Sequence, residues 1–206
     1  MMSVQTLFPT QVYHGALMRT GGEVLRKRLL RECLQLPEDD LAGQRWSAKN
    51  YPGGYTSYGS VCRLQTVSPT FAELERRLRR HVNAYAKALQ WDLGGRALLM
   101  TDCWVNLMPQ GVVHSLHLHP LSVISGTYYV RTPPRSSGLK LEDPRLDRFM
   151  AAPPRRADAD REHRSWVTLP ARAGYLNLFE SWLRHEVPPN PAASERISIS
   201  FNYAWA

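Results

Sequence analysis

Near Ala97 the hydrophobic period of the chain switches from that of helices to that of strands, a split that few folds accommodate. Before the switch, Leu25, Leu29, Cys33 and Leu36 recur on one face of a segment running from about Glu23 to Leu36, which Pro37 is expected to end. A second amphipathic segment opens at Ser68-Pro69-Thr70, where Thr70 and Glu73 can form a capping box. It carries Phe71, Leu74, Leu78, Val82, Tyr85 and Leu89 until Gly94-Gly95 stops it. After the switch come short alternating runs bounded by Gly and Pro: ALLMTDCWVNLM, VVHSLHLH, SVISGTYYVR, GLKLE, SWVTLP, GYLNLF and RISISFNYAW. Seven or eight short strands in about 110 residues, without helical segments between them, predict a sandwich or barrel of antiparallel pairs. A chain of 206 residues suffices for one such core, so residues 1–206 are expected to form a single domain, mainly β with flanking helices. Residues 1–95 supply two supporting helices and residues 96–206 the core. Within the core, residues 144–164 show no usable period and read as a mobile surface loop.

Charge narrows the partners. The net charge is +8, and 22 of the 26 cations are arginine, a balance that favours acidic ligands. Many of these arginines fall on the two helices, at Arg26, Arg28 and Arg31 and at Arg76, Arg77, Arg79 and Arg80, where they alternate with Glu23, Glu32, Glu73 and Glu75. Without interleaved aromatic residues they read as solvated helix faces, and a nucleic-acid footprint is not expected. No apolar run approaches the ~20 residues needed to span a bilayer, and the start MMSVQTLFPTQVYHGAL lacks the pattern of a secretory signal. Cys33, Cys62 and Cys103 are odd in number and widely spaced, which argues for a reducing cytoplasm.

Two segments carry chemistry. In VVHSLHLHP, His117 and His119 share strand parity, so their side chains point to one face from Cα atoms about 6.5–7 Å apart and can converge on one ion. Leu118 is expected to face the opposite layer, and His114 has the wrong parity for a ligand. Taken alone, this stretch also fits two surface histidines on an edge strand. Downstream, His185 is followed eleven residues later by Arg196, which opens a strand with Arg196, Ser198, Ser200 and Asn202 on one face and Ile197, Ile199, Phe201 and Tyr203 on the other. A polar face that starts with arginine fits a lined cavity as well as a solvated surface.

The ordered set of HxH, a third histidine 66 residues on and Arg-x-Ser eleven after it resembles the 2-oxoglutarate and iron(II)-dependent oxygenases. It is similar in particular to a bacterial branch of small oxygenases. The segments that carry the likeness are His117-Leu118-His119-Pro120, Ser125-Gly126-Thr127-Tyr128-Tyr129, Phe179-Glu180-Ser181-Trp182-Leu183-Arg184-His185 and Arg196 through Asn202. LFPTQVY, NYPGGYTSYG at residues 50–59 and Trp104-Val105-Asn106 extend it from about Leu7 to Asn202. The resemblance implies a double-stranded β-helix, or jelly roll, preceded by its helices. It also implies iron bound by His117, His119 and His185, with 2-oxoglutarate and dioxygen as cosubstrates. Arg196 and Ser198 would hold the far carboxylate of 2-oxoglutarate, and Tyr129, or Tyr128 of opposite parity, would reach the same group. Asn106 and Asn202 are polar residues in apolar strands that fit either cofactor contacts or structural hydrogen bonds. Phe179 and Trp182 read as core. Residues 50–59 lack the pattern of a phosphate loop and would lie at the barrel mouth as a substrate loop.

One departure stands out. The wider superfamily uses two histidines and a carboxylate, whereas the third position here is His119. The resulting site is one negative charge short, and if His119 turned away the vacant position would admit water or halide, as in halogenating relatives. The implied activity is hydroxylation of an unactivated C–H in an amino acid, peptide or small metabolite, with no membrane partner and with homodimer formation left open. Two alternatives remain at this point: a cupin-like three-histidine dioxygenase without cosubstrate, and an inactive basic jelly-roll binding module.

Overall fold

The computed structural model describes residues 3–206, so Met1 and Met2 of the start read above lie outside the described residues. The order is β1 (Tyr13–Ala16), α1 (Gly22–Asp39), α2 (Leu41–Asn50), β2 (Tyr55–Thr56), α3 (Leu64–Val67) and α4 (Pro69–Ala88). There follow β3 (Leu98–Met108), β4 (His114–His117), β5 (Ile124–Arg131), β6 (Leu139–Glu142), β7 (Trp166–Leu169), β8 (Tyr175–Glu180), β9 (His185–Val187) and β10 (Arg196–Trp205). The larger sheet has the order β1-β8-β5-β10-β3-β2 and the smaller β4-β9-β6-β7. Every strand pairing within them is antiparallel. This is the jelly-roll core with its helices.

Two cores hold the layers together. Leu25, Leu29 and Cys33 of α1 and Phe71, Leu74, Leu78, Val82 and Tyr85 of α4 cluster with Ile197, Ile199, Phe201 and Tyr203 of β10. Each fully buried side chain of this size contributes about 1.5–3 kcal/mol. Between the sheets, Leu139, Leu141, Leu169 and Val187 of the smaller pack with Met108 and Phe179 of the larger. Gly126 lets β10 seat against β5, since a Cβ there would stand 2.5 Å from the Phe201 ring. Among the described residues no helix is long and apolar enough to cross a membrane.

Several local readings need correction. Pro37 does not end α1, which continues to Asp39; so near a helix end, proline removes a single backbone bond and an added turn survives. The second helix is capped by Ser68, whose hydroxyl accepts from Thr70 N and Phe71 N, rather than by a Thr70–Glu73 box. Glu73 is drawn away by Arg28 at 2.9 Å and Arg77 at 3.3 Å. Helix α2 went unread because its hydrophobic stripe is weak; Asp40 starts it by accepting from Gly43 N, and the same carboxylate takes Tyr55 Oη at 2.8 Å. Residues 144–164 hold two single 3₁₀ turns, at Leu146–Arg148 and Arg161–His163.

Candidate active site

A cavity of about 910 Å³ opens between the sheets. Arg196, Ser198, Ser200 and Asn202 of β10 line it, as do Asp102, Trp104 and Asn106 of β3. The strands run in register, pairing Ser198 with Asn106, Ser200 with Trp104 and Asn202 with Asp102. The alternate β10 residues are buried in the helix-backed core, so strand parity alone separates structure from site.

At one end His117, His119 and His185 each offer a ring nitrogen within 4.8 Å of the other two. His117 and His185 face one another across the β4–β9 pairing, and His119 follows just beyond β4, its backbone N bonded to Ser181 O at 3.0 Å. Every Nδ1 meets an oxygen acceptor: Ser115 O for His117 at 2.6 Å, Leu183 O for His185 at 2.9 Å and Asn202 Oδ1 for His119 at 2.6 Å. A proton on Nδ1 leaves Nε2 with its lone pair, the arrangement metal-binding histidines need. Burial and neighbouring His117 push His185 down to about 3, and burial lowers His119 against the opposing pull of its Asn202 bond. Both are therefore neutral and competent as ligands at neutral pH. The residues fit a divalent transition metal.

Parity misplaced two neighbours. Between His114 and His117 the β4–β9 register shifts, three residues on one strand matching two on the other. This bulge turns His114 into the cavity with His117. There His114 stacks on Tyr51, with ring centroids 4.4 Å apart, but stays outside the convergent histidine group. Leu118 does not enter an opposite layer; it is 41% exposed at the cavity rim. Phe179 is buried as expected and meets His185 edge-on at 4.6 Å, whereas Trp182 is 46% exposed and not core.

At the other end Arg196 is only 2% exposed. Its guanidinium donates to Ser198 Oγ at 3.1 Å and lies near Met108 Sδ, while Nε has no partner. The Tyr129 ring supports it, with Cζ 5.0 Å from the ring centroid. Tyr129 itself is buried and does not line the cavity; its hydroxyl accepts from Asn177 Nδ2 at 3.1 Å. Asn106 donates to Ser200 Oγ at 3.0 Å, leaving Oδ1 buried and unpartnered. Tyr51 Oη is likewise buried without a partner, and its ionisation is pushed up by burial against the pull of Arg196. The unmet Arg196 Nε–H and Tyr51 hydroxyl are donors that suit an anion, whereas Asn106 Oδ1 is an acceptor and needs a donor instead.

Residues 102–202 match the profile of the family described as "Putative 2OG-Fe(II) oxygenase". Over those residues the chain carries a 2OG-Fe(II) oxygenase domain. Its cofactors are iron(II) and 2-oxoglutarate, and its three-histidine group fits the iron. No curated protein matches the sequence. Among solved structures, a prolyl-4-hydroxylase of Pseudomonas putida is 19% identical with a TM-score of 0.62, over 95% of this chain and 92% of that one. The epimerase SnoN of nogalamycin biosynthesis, solved with Fe3+, alpha ketoglutarate and nogalamycin RO, gives 16% identity and 0.59 over 95% and 79%. HygX from Streptomyces hygroscopicus, with nickel, 2-oxoglutarate and hygromycin B bound, gives 15% and 0.59 over 95% and 83%. At these identities the likeness is one of fold.

Sequence reading of this oxygenase missed Asp102 and took in Tyr51 only as part of the 50–59 loop; both line the cavity. Asp102 was findable, because it shares strand parity with Asn106 and interrupts an apolar run. Tyr51 lies in the glycine-rich 50–59 stretch, whose shape is set by packing. A Cβ on Gly59 would stand 2.3 Å from the Trp46 indole.

Proposed function

We propose that this enzyme hydroxylates an unactivated C–H bond of an amino acid, peptide or small metabolite, with His117, His119 and His185 holding iron through Nε2. Arg196 and Ser198 grip the far carboxylate of 2-oxoglutarate. The observation that carries the reading is the buried Arg196, with no anionic partner among its contacts and the histidine group in the same cavity. A three-histidine dioxygenase without cosubstrate has no use for such a cation. Iron and 2-oxoglutarate together supply the oxidising power when bound, and the chain supplies position. Tyr129 keeps Arg196 from swinging out of the cavity, Asn106 and Tyr51 offer further polar contacts, and Asn202 orients His119. The reading takes residues 1–206 as one catalytic unit working in a reducing compartment, in keeping with its scattered cysteines.

The substrate approaches along aromatic rings. Trp46 and Tyr58 lie 6.1 Å apart, Tyr58 and Trp104 5.2 Å, and Trp104 and His119 5.7 Å, a path from rim to metal site. A substrate with a flat or apolar flank can stack along this wall, and Tyr58 in it supports residues 50–59 as the recognition loop. The test is dioxygen-dependent release of succinate from 2-oxoglutarate by the Fe(II)-loaded protein, followed by a mass-spectrometric screen of metabolites and peptides for a gain of one oxygen. No succinate above the level of a His117→Ala control would refute the reading.

A further inference from the structure

His117 and His185 have Nδ1 bonded to main-chain carbonyls, which can only accept, so their tautomers are fixed. His119 differs. Its Nδ1 faces the side-chain amide of Asn202, with Ser125 Oγ at 3.1 Å, and an amide can present either its oxygen or its NH2. With Oδ1 toward the ring, Nδ1 carries the proton and Nε2 is free to ligate. With the amide reversed, Nδ1 must accept, the proton moves to Nε2, and the metal loses its third nitrogen.

The neighbours of Asn202 decide the orientation. Ser125 Oγ donates to Oδ1 at 2.9 Å, but its bond to Ser181 Oγ at 2.8 Å can run in either direction, so this hydroxyl can turn over with the amide. Asp102 cannot. Its Oδ2 lies 3.4 Å from Asn202 Nδ2 and takes the Thr101 hydroxyl at 2.7 Å; a carboxylate offers only acceptors, and a reversed amide would set oxygen against oxygen. Register fixes the pair, since Asp102 and Asn202 are direct partners across β3 and β10. Among the described residues Asp102 is also the only carboxylate lining the cavity.

We propose that Asp102 is a positioning residue for the metal: it locks the Asn202 amide, which holds His119 as the Nδ1–H tautomer. It thereby places a negative charge two hydrogen bonds behind a ligand set that contains none. The arrangement extends by one amide the carboxylate–histidine–metal relay in which the partner orients the ring and raises its basicity.

The test uses the full chain with two readouts. Long-range 1H–15N spectra of the metal-free protein report the His119 tautomer, and titration with Ni(II) reports affinity. The parent should show Nδ1–H at His119. Asp102→Asn, whose amide can face either way, should give a tautomer mixture and weaken Ni(II) binding roughly 10-fold or more. The exchange Asp102→Asn with Asn202→Asp puts the carboxylate directly on His119 Nδ1 and should restore both the tautomer and an affinity within about threefold of the parent, a rescue that a loss of packing would not show. An unchanged tautomer and affinity in Asp102→Asn, or a failed rescue in the folded double variant, overturns the proposal. Because the inference rests on the three-histidine site, His117→Ala is titrated alongside. If that variant also keeps its Ni(II) affinity, the metal site itself is misassigned.

Discussion

The two ends of the cavity are built on opposite principles. At the histidine end each Nδ1 has its acceptor, which orients every ring. At the Arg196 end a cation, a carboxamide oxygen and a phenol hydroxyl are buried with bonding capacity unspent. A metal needs its ligands preset, because turning histidines at the moment of binding costs affinity. An anionic ligand supplies acceptors for the Arg196 Nε–H and the Tyr51 hydroxyl, though not for Asn106 Oδ1, which is itself an acceptor. The contrast teaches that a pocket's unmet polar atoms point to the ligand, while its satisfied ones point to what must not move.

The largest effect expected is at the preset end. His117→Ala or His185→Ala should abolish stoichiometric Fe(II) binding while the apo fold persists, checked by equilibrium dialysis beside circular dichroism. Full metal content in either variant would dissolve the distinction between the ends. Next, Arg196→Ala should raise the half-saturating 2-oxoglutarate concentration about 100-fold, since losing one partner of a desolvated charge pair costs ~3 kcal/mol. Fe(II) affinity should hardly change, and Arg196→Lys should recover only part of the loss because a point charge cannot reproduce the fork.

The incomplete end carries a further consequence. Without 2-oxoglutarate, Arg196→Met should unfold at a higher temperature than the parent, by about 2–4 °C for each kcal/mol gained, because it removes an unpaired buried charge. Saturating 2-oxoglutarate should reverse the ranking by stabilising only the parent.

Acid sensitivity separates the ends more weakly. Burial, the nearby Arg196 charge and the neighbouring histidines push His114 down to about 3. Between its unfolded value near 6.5 and this folded value, the unfolded chain binds the proton and the folded one does not. Stability therefore falls as pH drops through that window, by at most about 1.4 kcal/mol per pH unit for this group. His114→Gln should flatten the acid limb of an unfolding-versus-pH curve; an unaltered limb would mean that His114 is already protonated in the fold. Smallest of all, Ser198→Ala should weaken 2-oxoglutarate binding about fivefold, the equivalent of one hydrogen bond near 1 kcal/mol.

Much of this was legible in the chain. The change of period at Ala97 and the runs after it marked seven of the eight strands from β3 to β10, all but the three-residue β9, and the alternation from Arg196 to Tyr203 anticipated both faces of β10. What escaped depends on contacts between distant segments. The bulge in β4 moves His114 into the cavity because β9 is one residue short opposite it. Asp102 acquires its meaning only when β3 pairs with β10. Tyr129, expected at the cosubstrate, lies beneath Arg196 as a ring support, a difference of depth that strand parity does not encode.

The account stands on the two ends forming one site, bridged by one cosubstrate. The direct measurement is an anaerobic titration of the Fe(II)-loaded protein with 2-oxoglutarate, following the visible charge-transfer absorption of a 2-oxo acid chelated to Fe(II). The parent should develop the band with saturation at one equivalent, Arg196→Ala should need about 100-fold more 2-oxoglutarate, and His185→Ala should show no band. A parent that develops no band, or an Arg196→Ala variant that titrates like the parent, would contradict the account.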